Sequence, residues 1–211
     1  MDFLRSVEAV IPGAQGKLLA VFAETTVGLS VRTASRLSGV SLAQTSRILP
    51  DLAALGILER TDVPPSIVYR FVEENVASRS IMLLARSRDL VLAELGEAAR
   101  SMAIPPVSVM VFGSLARGDA GQDSDVDVLM VHRNGVENTQ AWSESVEQWR
   151  RSAQQLTGND VEVMEADEHS IASQLRSRRP VWRDISRDGI VVFGKTPDEL
   201  RVRESKAVHV A

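Results

Sequence analysis

The chain contains no cysteine among its 211 residues, which excludes disulfides and thiolate-held metals. Histidine is scarce too. His132, His169 and His209 are scattered along the sequence, which argues against a histidine-built zinc centre. Any bound metal is therefore expected to be a hard cation held by oxygen. No apolar run approaches the roughly 20 residues that span a bilayer. The opening MDFLRSVEAVIPG carries an early acid and lacks a signal-peptide core, so no membrane association and a cytoplasmic location are expected. Cations are not in excess either: 24 Lys and Arg against 28 Asp and Glu give a formal net charge of −4. Affinity for nucleic acid would have to be local. Internal repeats and low-complexity segments are absent.

What remains is an ordinary globular composition, 44% apolar and 25% charged, long enough for one large domain or two small ones. Texture divides it. Residues 1–74 hold short helical patterns and then two strand-like runs. Residues 75–103 carry apolar residues at helical spacing without proline and read as a helical connector, one long helix or a broken pair. Residues 104–196 alternate β-rich and helical runs: VSVMVF, VDVLMV, DVEVM and GIVVFG read as strands. NTQAWSESVEQWRRSAQQLTG reads as a helix with Asn138 or Thr139 as its cap and Gly158 as its stop. Residues 197–211 read as a tail.

In the first of these segments, GAQGKLLAVFAET suggests one helix and SVRTASRLSG a second capped by Ser30. VSLAQTSRILPDLAALGILER begins a third, with Ser41 as its cap and Gly56 at its end. ILERT and IVYRFV, separated by DVPPS, predict a β-hairpin. In TASRLSGVSLAQTSRILPDLAALGILER the sequence resembles the winged helix-turn-helix regulators. That resemblance implies a helix from Leu42 in the major groove of DNA, with Leu42, Ala43, Gln44, Thr45 and Arg47 forward. Gln, Thr and Arg can bond base edges or phosphates, so Arg32, Gln44, Thr45 and Arg47 are the DNA-contact candidates. Residues 29–50 carry Arg32, Arg36 and Arg47 and no acid. The bland alternative is a winged-helix fold used for dimerisation or interdomain packing. Pro50 falls inside the proposed recognition helix, where it predicts a kink or a fresh start.

The densest chemistry lies in FGSLARGDAGQDSDVDVLMV. Residues i and i+2 of a strand share a face, which aligns Asp125 and Asp127 and turns Val126 and Val128 to the opposite, buried side. NDVEVM offers a third carboxylate in Glu162, with Asp160 two residues earlier on the same face. Gly113-Ser114, leaving one strand and entering a helix, would present backbone N–H groups to an anion. Gly-Ser, ten residues, then Asp-x-Asp between apolar residues is similar to the polymerase-β-like nucleotidyltransferase superfamily, and FGS…DVDVL looks most like its minimal bacterial group.

The resemblance covers about residues 105–195. It implies an α+β chain: an N-terminal winged helix-turn-helix, a helical connector and a nucleotidyltransferase-fold mixed sheet flanked by helices. It further implies that Gly113 and Ser114 hold the β- and γ-phosphates of an NTP (ATP or another), with Arg117 as a further phosphate contact or a solvated arginine. Asp125, Asp127 and Glu162 would bind Mg²⁺ or Mn²⁺ and carry transfer of an NMP to a hydroxyl on a protein or RNA. A link to toxin–antitoxin systems is a further implication. The rival reading is a DNA-binding regulator whose inactive nucleotidyltransferase-like domain senses nucleotides, which a homodimer would suit. Arg176, Arg178, Arg179 and Arg183 read as a solvated helix face, and Trp142, Trp149 and Trp182 as core.

Overall fold

The computed structural model describes residues 1–202; the remainder of the expected tail, 203–211, lies outside the described residues. The chain divides into two compact units, Leu4–Ser87 with Asp2, and the residues from Arg88 on with Met1 and Phe3.

The N-terminal unit runs α1 (Ser6–Val10), α2 (Ala14–Ala23), β1 (Leu29–Ser30), α3 (Val31–Ser38), α4 (Leu42–Ala54), β2 (Leu58–Val63), β3 (Ser66–Phe71) and α5 (Val76–Ala85). The expected caps form. Ser30 Oγ accepts from the Thr33 amide at 3.2 Å and Ser41 Oγ from the Gln44 amide at 3.3 Å, each satisfying a donor the helix start leaves open. β2 runs one residue longer than expected and β3 starts one residue earlier, pairing from Leu58↔Phe71 to Val63↔Ser66, and β1 joins on the far side of β3. Helices, hairpin and edge strand together make the winged helix-turn-helix. Leu18, Leu19, Phe22, Leu49 and Leu52 form its fully buried core. Pro50 neither stops nor restarts α4, which is one helix across it. Pro50 and Ser46, whose carbonyl loses its helical partner, are both exposed, so the missing bond falls on the solvent side.

Residues 75–103 contribute a helix to each unit: α5 to the first, and α6 (Ser87–Arg100) almost wholly to the second. The C-terminal unit continues with β4 (Ser108–Phe112), α7 (Gly113–Arg117), β5 (Val126–His132), α8 (Gln140–Thr157), β6 (Val161–Asp167), α9 (Ile171–Gln174), α10 (Pro180–Asp188), β7 (Ile190–Gly194) and α11 (Pro197–Val202). Its sheet has the order β6-β5-β4-β7. β4 is antiparallel to β5 and β7, while β5 and β6 are parallel because α8 carries the chain back across the sheet.

Alternation divides the strands between two cores. Val109, Val111, Val126, Val128 and Met130 pack with Leu95, Ala99, Trp142 and Trp149. Met110, Leu129 and Val131 pack on the other side with Ile171, Trp182 and Ile185. All three tryptophans are core residues. Thr139 caps α8 through its hydroxyl, which accepts from the Trp142 amide at 3.3 Å, and Gly158 ends the helix at φ +68°.

Candidate active site

Three strand ends meet at the site. β4 and β5 pair with Phe112 opposite Asp127, and β5 and β6 pair with Asp127 beside Glu162. In-register neighbours on parallel strands share a face, so the two carboxylates stand on one side of the sheet, away from Val126 and Val128. Asp125 immediately precedes β5 and is exposed. Asp160 is exposed as well, and its carbonyl accepts from the Val126 amide at 2.8 Å. This bond fixes where β5 begins, a backbone role.

Asp127 is the most perturbed group here. Burial raises its carboxyl pKa above the ordinary aspartate range, the negative charges of Glu162 and Asp125 raise it further, and Arg117 opposes them. Asp127 is partly buried and Asp125 and Glu162 are exposed; adjoining carboxylate oxygens of this kind are the donor set a hard divalent cation takes. Neutralising it would remove both the desolvation cost and the mutual repulsion.

Gly113 is required at this point for two separate reasons. Its φ of +69° lies in the left-handed region, and a Cβ built on it would sit 2.0 Å from Asp127 Oδ2. The turn into α7 therefore passes directly against the Asp127 carboxylate. Ser114 follows, partly exposed. Arg117, at the end of α7, is exposed and its Nε lies 3.3 Å from Asp119 Oδ2. Its positive charge opposes the rise of the Asp127 pKa.

Two further residues hold this arrangement and escaped the sequence reading. Arg88 donates from Nε to the Leu115 carbonyl at 2.7 Å and from Nη2 to the Ala116 carbonyl at 2.5 Å, satisfying the C-terminal end of the short α7. Asn159, buried, donates from Nδ2 to the carbonyls of Gln122 at 3.2 Å and Ser124 at 2.8 Å, tying down the loop that delivers Asp125. Its only sequence signal is its place just after the Gly158 helix stop. A cleft of about 580 Å³ lies beside Asp125 and Asp160, toward the end of α8; Asp127, Glu162, Gly113 and Ser114 are not among its lining residues.

In the N-terminal unit, Arg32, Gln44 and Arg47 are exposed, as are Leu42 and Ala43. Thr45 is not: it is fully buried, and its hydroxyl donates to the Ser41 carbonyl at 3.0 Å. A side chain turned into the core cannot reach a base edge, so Thr45 leaves the set of DNA-contact candidates. The exposed Ser46 lies between Gln44 and Arg47. Arg178, Arg179 and Arg183 are exposed, but the expected helix face does not form: Arg176, Arg178 and Arg179 lie in the connection between α9 and α10, and only Arg183 is on a helix.

Residues 92–194 match the family described as nucleotidyltransferase domain, and residues 16–62 match the IclR helix-turn-helix domain. No curated protein matches the chain. Among solved structures, a toxin–antitoxin crystallised with AMP-PNP aligns at 16% identity and a TM-score of 0.38, covering 56% of this chain and 88% of its own. A mutant of the toxin–antitoxin MntA-HpeT aligns at 15% and 0.38 with the same coverages. A Sulfolobus solfataricus protein named as a nucleotidyltransferase aligns at 23% and 0.28, covering 50% and 82%. At such TM-scores none of the three bears on function.

Proposed function

We propose, on the premise of the matches of residues 92–194 to a nucleotidyltransferase domain and of residues 16–62 to an IclR helix-turn-helix domain, that the chain transfers an NMP from an NTP to a hydroxyl on a protein or RNA. The observation that carries this reading is the in-register pair Asp127 and Glu162, with the Gly113 turn packed against Asp127.

The roles follow from placement. Gly113 and Ser114 receive the β- and γ-phosphates, since the turn offers backbone N–H groups and one hydroxyl with no bulk at Gly113. Arg117 adds a cation at the rim of the same turn. Asp125, Asp127 and Glu162 would hold Mg²⁺ or Mn²⁺, which supplies charge neutralisation of the triphosphate and activation of the attacking oxygen. The acceptor hydroxyl oxygen forms a bond to the α-phosphorus, and the bond from that phosphorus to the bridging oxygen of the β-phosphate breaks, releasing pyrophosphate. The hydroxyl proton passes to Glu162. A glutamate reaches one methylene further than an aspartate would, and Asp127 alongside it keeps the pair crowded.

Arg32, Gln44 and Arg47 would place the chain on DNA. The reading sits naturally with a cytoplasmic protein, and the toxin–antitoxin link rests on the FGS…DVDVL resemblance alone. A second reading, a nucleotide sensor that regulates transcription as a homodimer, is favoured by the exposed face of α4.

Label transfer decides between them. The protein is incubated with each α-³²P-labelled NTP, Mg²⁺ and cell lysate, beside an Asp125→Ala/Asp127→Ala control. Label entering a macromolecule, and absent from the control, supports the transferase. NTP binding without label, together with NTP-dependent DNA affinity, supports the sensor.

A further inference from the structure

At the other end of β5 and β6 the register pairs His132 with Asp167. His132 lies five residues beyond Asp127, which places it roughly 17 Å away along the strand and on the opposite face of the sheet. Its ring is buried and packs edge-on against Trp142, with centroids 5.6 Å apart. Nδ1 lies 3.9 Å from Glu137 Oε2 and 3.9 Å from Asp167 Oδ2. One donor atom from each of the three residues falls within 4.8 Å of the others. Asp167 Oδ2 is buried without a hydrogen-bond partner, whereas Oδ1 of the same carboxylate accepts from the His169 amide at 2.7 Å. The Arg133 carbonyl oxygen lies 3.0 Å from Nδ1.

A separation of 3.9 Å is too long for a hydrogen bond, so the ring leaves Asp167 Oδ2 unsatisfied, a costly state for a buried carboxylate oxygen. The same separations suit ligands that share an ion. Two donors about 2.1 Å from a tetrahedral Zn²⁺ stand roughly 3.4 Å apart, which the exposed Glu137 and a small ring movement can reach. We propose that His132, Glu137 and Asp167 form a divalent transition-metal site, distinct from the nucleotidyltransferase carboxylates, that takes a Zn²⁺-class ion.

The donor chemistry selects the ion. An imidazole nitrogen disfavours Mg²⁺ and Ca²⁺, which prefer all-oxygen shells. With no thiolate present, nothing favours a soft ion. On binding, the neutral ring carries its single proton on Nε2 and gives up the Nδ1 hydrogen bond to Arg133, leaving that carbonyl free as a fourth donor. The ion would fasten Glu137, in the connection between β5 and α8, to the ends of two central strands. Its role is structural, since the transfer site lies at the far end of the sheet.

Zn²⁺ alone is titrated into the metal-stripped full chain in the presence of millimolar Mg²⁺, for the wild type and for Asp125→Ala/Asp127→Ala. One tight equivalent is expected in both, with a rise in the thermal midpoint. Glu137→Gln changes an exposed loop residue and leaves the fold intact, as circular dichroism will register. It and Asp167→Asn should each weaken Zn²⁺ on the order of 100-fold. The proposal is overturned if no tight equivalent appears, or if Glu137→Gln and Asp167→Asn bind Zn²⁺ as the wild type does. Because the Asp125→Ala/Asp127→Ala protein keeps this site, failure here and failure of the transferase reading are separate results.

Discussion

Replacing Gly113 with alanine should damage chemistry far more than folding. At φ +69° an L-residue costs about 1–2 kcal/mol of backbone strain. In a chain of this length that lowers the thermal midpoint by roughly 2–8 °C. The added Cβ would also sit 2.0 Å from Asp127 Oδ2 and 3.0 Å from its Cγ, whereas non-bonded contact is comfortable at roughly 3.5 Å. The carboxylate must therefore retreat by more than an ångström. A displacement of that size in a reacting constellation costs about 10²-fold in rate. Gly118→Ala is the matched control: it sits at φ +81°, and its nearest neighbour is the Arg88 side chain at 3.8 Å. Thermal unfolding and α-³²P transfer are measured on both variants. Similar midpoints, with transfer down about 10²-fold only in Gly113→Ala, are expected. Equal transfer by the two variants would refute the idea that Gly113 exists to admit the Asp127 carboxylate.

Asp127→Asn should stabilise the metal-free chain at pH 7, because the folded state holds this carboxyl pKa above its unfolded value. That cost is present above the folded pKa and disappears as pH falls through it toward the unfolded value. The gain should therefore vanish in denaturant titrations run at low pH. Arg88→Ala removes two charge-assisted bonds to the end of α7 and should cost about 2 kcal/mol. Nucleotide affinity should fall with it, while the double substitution with Gly118→Ala should be less than additive. In the N-terminal unit, Arg47→Ala should weaken DNA binding and shallow its salt dependence by about one ion, read by fluorescence anisotropy. Thr45→Ala, buried, should instead lower stability by about 1 kcal/mol with DNA affinity retained by the folded protein.

The parts legible in sequence were those set by local rules. Ser30, Ser41 and Thr139 cap their helices because a hydroxyl three residues before an amide can reach it wherever the chain goes next. Strand alternation turns Val126 and Val128 into the core and Asp127 to the other face, while Asp125, expected on the Asp127 face, falls just before β5 begins. That Glu162 stands beside Asp127 required a parallel register created by α8, which the pairing displays; the sequence offered only a third carboxylate from some neighbouring strand. Long-range packing was not legible. Thr45 lies inside a helix whose exposed face is decided by what covers the other side, so a helical stretch read alone assigned it outward. Arg88 reaches α7 across 27 residues. His132 and Asp167 looked scattered in a list of histidines and acids, and only strand register makes them neighbours. Pro50 predicted a kink or a fresh start; the fresh start does not occur, since α4 runs across it with the freed carbonyl on an exposed residue.

The central claim is that the carboxylates at the start of β5 and β6, with the Gly113 turn, make a cation-dependent triphosphate site. Isothermal titration of a non-hydrolysable NTP analogue, with Mg²⁺ and then with EDTA, tests it on the wild type and on Asp125→Ala/Asp127→Ala. The account predicts binding to the wild type in Mg²⁺ that is lost both in EDTA and in the variant. Binding that is indifferent to Mg²⁺ and to both aspartates would contradict it.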